Sequence, residues 1–128
     1  MQRKYLTLNN NPKELTDSIA NLSHRVDLPR TYKNGRCVLS IHLINSGGVT
    51  GNYSIEASMV MGDVQSDFFT LKSSTALTSG SETSQQLKLH TTTYANNKWD
   101  DLADAVIIKV TKVSGSTTLN YYGNLSFS

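Results

Sequence analysis

From about Tyr32 onward, apolar and polar residues alternate with a period of two, the pattern of strands with one buried face. Cys37, Leu39, Ile41 and Leu43 share one face of a run whose other face is Val38, Ser40, His42 and Ile44. Asn34-Gly35 is a hairpin-turn signal ahead of it, and Asn45-Ser46-Gly47-Gly48 ends it. A second run puts Tyr53, Ile55, Ala57, Met59 and Met61 inward and stops at Gly62-Asp63. Phe68–Leu71 reads as a short strand, and the Ser/Thr-rich stretch Ser73–Gln86 as a surface loop. Gln86–Thr93 alternates again, and Trp99–Asp104 reads as a turn. Ala105–Val113 directs Val106, Ile108 and Val110 inward, and Ser114-Gly115-Ser116 closes a hairpin into Thr117–Phe127. Gly123 inside that last strand signals a bulge or a bend.

The first 30 residues read differently. Tyr5–Leu8 is a short β-like run stopped by Asn9-Asn10-Asn11-Pro12. Asn11 resembles a helix N-cap, with Pro12 at the first helical position and Glu14 at the third. Leu15, Ile19 and Leu22 would then line one face of a helix of about ten residues. So short a helix is marginal in water unless its apolar stripe docks. The layout predicts an all-β domain over residues 31–128, an antiparallel β-sandwich or jelly roll of about 6–8 strands. An N-terminal arm, residues 1–30, would carry the short helix.

Composition narrows the function classes. A chain of 128 residues suits one domain. Its single cysteine, Cys37, closes no internal disulfide and builds no multi-cysteine zinc site. No apolar run approaches a membrane span, and no apolar leader segment follows Met1–Lys4, so no membrane partner is expected. Ser and Thr total 30 and Asn adds 11, against 17% charged residues, which makes a polar, uncharged surface. The net charge of +2 conceals a split, with +4 over residues 1–36 and −2 over residues 37–128. All four arginines lie in the first part. The arm lacks the dense like-charge block usual in nucleic-acid tails, so nucleic acid is not the expected partner.

Candidate chemistry is sparse. Cys37 and His42 fall on opposite faces of one strand and form no thiol–imidazole pair, so Cys37 reads as a small core residue. His42 and His90 both face outward. Asp100, Asp101 and Asp104 lack the EF-hand spacing and read as caps of a turn. Gly47, Gly48 and Gly51 sit between strands, not before a helix, so they form no phosphate loop. Three N-x-S/T sequons, at Asn21, Asn52 and Asn124, are chance matches in so Ser/Thr-rich a chain. These readings predict no catalytic set, no metal and no cofactor. Tyr53, Tyr94, Trp99, Tyr121 and Tyr122 could supply a sugar-stacking platform, although covering the ends of a sandwich is the plainer role.

The Thr/Ser-rich C-terminal hairpin, Val106–Lys112 running through Ser114-Gly115-Ser116 to Phe127, resembles that of small β-sandwich structural proteins of bacteriophage virions. These are capsid decoration or cement proteins and tail or neck components. The resemblance covers the C-terminal quarter in texture and the whole chain in layout, and carries over no functional residue. It implies a non-enzymatic virion protein, assembled in the host cytoplasm and used in many copies. Its partners would be itself, as a homo-oligomer such as a trimer, and a major capsid or other virion protein. On that reading the arm binds a neighbour, with Leu15, Ile19 and Leu22 as anchors and Arg3, Lys4, Arg25 and Arg30 steering. A carbohydrate-binding, lectin-like module is the alternative, and a nucleic-acid-binding protein using the basic arm a second.

Overall fold

Cys37, Leu39, Ile41, Leu43 and Asn45 are buried while the residues between them are half-buried, so the period-two pattern becomes one strand with two unlike faces. The computed structural model describes residues 2–6, 11–28, 37–89 and 104–127, and its regular elements there are all strands. In chain order they are β1 (Gln2–Tyr5), β2 (Lys13–Leu15), β3 (Asn21–Asp27), β4 (Cys37–Asn45) and β5 (Gly51–Met61). There follow β6 (Val64–Gln65), β7 (Phe69–Leu77), β8 (Glu82–Lys88), β9 (Ala105–Ser114) and β10 (Leu119–Phe127).

They form two five-stranded antiparallel sheets. The first runs β8, β4, β10, with β1 and β2 both along the far side of β10. The second runs β3, β9, β5, with β6 and β7 both against β5. The chain changes sheet between β2 and β3, β3 and β4, β4 and β5, β7 and β8, β8 and β9, and β9 and β10. That connectivity is a jelly roll, a sandwich in which consecutive strands face one another across the core. Tyr53, Ile55, Ile108 and Val110 from the second sheet meet Leu39, Leu43, Leu119, Tyr121 and Leu125 from the first.

The expected helix is absent. Leu15 ends β2, opposite Leu119, and Asn21–Asp27 pairs in register with β9. Between them Thr16 turns the chain, its N–H donating to Ile19 O at 2.9 Å and its Oγ1 accepting from Ile19 N–H at 3.1 Å. Thr16, Asp17 and Ser18 favour such turns over helix interiors, and two open sheet edges provide long-range pairing that a lone helix of this length lacks. Lys112 clamps the turn from inside, donating to Asp17 Oδ1 at 2.7 Å and Gly115 O at 2.6 Å.

Two further expectations need correction. Most of Ser73–Gln86 is not loop: β7 runs on to Leu77 and β8 begins at Glu82. Thr and Ser are good strand residues, and these strands are polar because much of their surface faces water. Nor does Gly123 mark a bulge, since β10 pairs with β4 without a register shift from Leu119 to Phe127. A Cβ there would stand 2.6 Å from Ser40 O, so the glycine serves close backbone approach.

Asn45, wholly buried at the end of β4, joins three connections. Its Nδ2 donates to Val49 O at 2.9 Å and Leu77 O at 2.8 Å. Its Oδ1 accepts from Gly47 N–H at 3.0 Å and from Thr117 Oγ1 at 2.7 Å. Both donors and both acceptor positions of the amide are thereby used.

Candidate binding face of the first sheet

The inward parity of β4 and β10 is spent on the core, so their other parity, with that of β8, makes an outer face. Register sets its rows. Tyr122, His42 and Ser84 stand abreast across β10, β4 and β8, and Asn124, Ser40 and Gln86 form the next row. Between these rows lies a shallow depression of about 220 Å³ lined by Ser40, His42, Ser84, Gln86, Tyr122 and Asn124. His42 is held on two sides, with Nδ1 hydrogen-bonded to Ser84 Oγ at 2.7 Å and Nε2 3.5 Å from Glu82 Oε1. Its ring lies beside that of Tyr122, centroids 5.3 Å apart and planes tilted by 41°.

Cys37, His24 and Tyr121 are occupied inside. Cys37 is a free, buried thiol, and burial pushes its pKa up to about 12, so it carries no thiolate. His24 shares the inward parity of β3 and hydrogen-bonds the Tyr121 hydroxyl of the facing sheet, the rings 5.6 Å apart. Burial, and next the charge of Lys13, hold the His24 pKa below its ordinary value, while burial pushes the Tyr121 phenol up. Asp104 caps a turn by accepting from Gly62 N–H at 2.6 Å. Asp100, Asp101, His90, Tyr94 and Trp99 lie outside the described residues.

The residues singled out as a neighbour-binding arm are dispersed. Arg3 and Lys4, exposed on β1, lie opposite Ser126 and Leu125 at one end of β10. Leu15 lies opposite Leu119 at the other end and is wholly buried in the chain's own core, with Leu22 packed against that core. Ile19 is exposed on the turn, and Arg25, on the other sheet, pairs with Asp27 at 3.2 Å. Arg30 lies outside the described residues. Of the aromatic platform, Tyr53 and Tyr121 are core residues and Tyr122 faces outward. Ser84 lies in a stretch whose Ser/Thr-rich composition reads as loop, with Gln86 at its border; the alternation of Thr83, Gln85 and Leu87 is the signal in the sequence for the strand that carries both.

No protein-family model matches the chain, and no curated protein matches it. Its fold is shared with solved structures that include virus-particle chains and carbohydrate-binding modules. A chain of the infectious bursal disease virus Gt strain superposes with a TM-score of 0.63 at 9% identity, over 97% of this chain and 30% of that one. A chain of the T13 particle of the same virus gives 0.61 at 11% identity, with the same coverage of 97% and 30%. The C-terminal family 22 carbohydrate-binding module of Clostridium thermocellum Xyn10B gives 0.53 at 11% identity, over 82% of this chain and 62% of that one. The chain therefore spans about a third of the viral chains and under two thirds of the carbohydrate-binding one. At these identities the likeness is one of fold.

Proposed function

We propose that the protein is a non-enzymatic structural subunit of a virus particle, of the decoration, cement or minor head or tail kind, acting through contacts with copies of itself and with another virion protein. The observation that carries this reading is closeness of superposition: the virus-particle chains follow this chain at TM-scores of 0.63 and 0.61, and the carbohydrate-binding module at 0.53. Of the arm residues singled out by the sequence, the exposed ones, Arg3, Lys4, Ile19 and Arg25, would meet the neighbour. Leu15 already has its place inside, which leaves Ile19 and the charged groups to set the geometry of contact.

Because β1, β2 and β3 are paired strands, point variants test this better than deletion. Native mass spectrometry and co-sedimentation with candidate particles would compare the intact chain with Arg3→Glu/Lys4→Glu and with Ile19→Asp. The expected result is a homo-oligomer and particle association, both weakened in the variants. A monomer at every concentration with no sedimentation overturns the proposal. The carbohydrate-binding alternative draws support from the same sandwich fold, and a chain that stays monomeric and never associates with particles would favour it.

A further inference from the structure

We infer that the outer face of the first sheet binds an uncharged saccharide, with one sugar ring seated in the depression between Tyr122 and Gln86. This goes beyond the structural-subunit reading and does not rest on it. The outward-facing side chains of its lining are two amides, two hydroxyls, an imidazole and a phenol, and the whole lining holds no carboxylate, lysine or arginine. A phosphate or carboxylate ligand would find no fixed cation there, and a cationic ligand no carboxylate in the wall. An apolar ligand would strip water from these groups and return no hydrogen bonds. Sugar hydroxyls suit such a lining, because amides and hydroxyls both donate and accept.

Shape agrees with the chemistry. The depression is smaller than the roughly 300–1,000 Å³ of pockets for drug-sized ligands, which fits a single ring with its chain running out over the sheet. Tyr122 beside His42 offers an apolar ring surface for the C–H face of a sugar, and polar tips for its hydroxyls. His42 is already oriented by Ser84 and Glu82, so little side-chain freedom is lost on binding. All six residues sit on paired strands, which hold their spacing better than loops would.

The test is an amide-resolved NMR titration of the full chain with four neutral oligosaccharides: xylohexaose, cellohexaose, maltohexaose and fully N-acetylated chitotriose. Inorganic phosphate serves as the anionic control. At least one sugar should shift the amides of residues 40–42, 84–86 and 122–124 and the side-chain amides of Gln86 and Asn124, with a millimolar dissociation constant. Tyr122→Ala should weaken that binding about tenfold or more, while Tyr122→Phe, which keeps the ring, should retain most of it. If Tyr122→Ala fails to fold, Gln86→Ala/Asn124→Ala reads the same loss from the polar side. The proposal is overturned if none of the four sugars moves these signals, or if phosphate moves them more. Binding equally strong in Tyr122→Ala overturns it too, as do the same shifts on raising protein concentration alone, which would make the face a subunit contact. Loss of particle association would sink the virion reading and leave this titration unchanged.

Discussion

Replacing Asn45 isolates what one buried polar side chain contributes to this sandwich. Asn45→Ala removes four hydrogen bonds, two donated to Val49 O and Leu77 O and two accepted from Gly47 N–H and Thr117 Oγ1. A typical intramolecular bond is worth about 0.5–1.5 kcal/mol net, and a buried partner left unsatisfied costs more. Some carbonyls at this end of the molecule can reach water, so the sum expected is about 3–5 kcal/mol. For a chain this long the melting temperature falls about 3–5 °C per kcal/mol, a total loss on the order of 10–20 °C. Asn45→Asp is the sharper probe. It keeps the shape and both accepted bonds, but turns an oxygen toward two carbonyl oxygens that now lie 2.8 and 2.9 Å from an amide nitrogen. Near neutral pH it should therefore be less stable than the alanine variant. Burial and the facing carbonyls would raise the new carboxyl's pKa above its unfolded value of about 3.9. The folded state then holds the proton more tightly, so the variant should regain stability as the pH falls through the raised value and lose it again as the pH rises. Urea melts followed by circular dichroism, at neutral pH and near about pH 4.5, measure all of this. An alanine cost below about 1 kcal/mol, or an aspartate deficit independent of pH, would refute the account of Asn45 as a satisfied hub.

Gly115→Ala should cost about 3 kcal/mol or more, because φ is +94° there and a Cβ would meet Thr50 O at 2.4 Å; a near-wild-type thermal melt would contradict that. Cys37 should resist an aromatic disulfide reagent in the folded protein and react on unfolding, since its thiol is buried with a pKa of about 12. Cys37→Ser should cost roughly 1–3 kcal/mol, and rapid labelling of the native chain would show the burial to be wrong. His24, with its pKa held low by burial, supports folding fully above its unfolded pKa of about 6.5 and loses that support as acid protonates the unfolded chain first. The stability advantage of the wild type over His24→Gln should therefore shrink between about pH 7 and pH 5, and parallel pH profiles for the two would exclude it.

Residues 37–44, 53–61, 105–113 and much of 117–127 carry their strand assignment and their inward face in the sequence itself, since the parity of apolar side chains is a local property of an extended backbone. Cys37 as core and His42 as outward-facing follow from the same parity. What the alternation leaves open is partnership. Leu15, Ile19 and Leu22 suit one face of a helix as well as two strands joined by a turn, and only the free edges of β10 and β9 decide for strands. The polar run from Ser73 to Gln86 holds strands because β5 and β4 supply the hydrogen bonds that its own sequence does not advertise. The binding face has the same origin: Tyr122, His42 and Ser84 are far apart in the chain and meet only through antiparallel register, a long-range quantity. Local chemistry thus determined which side chains turn inward, while the closing of two sheets over one another decided which of the remaining ones stand side by side.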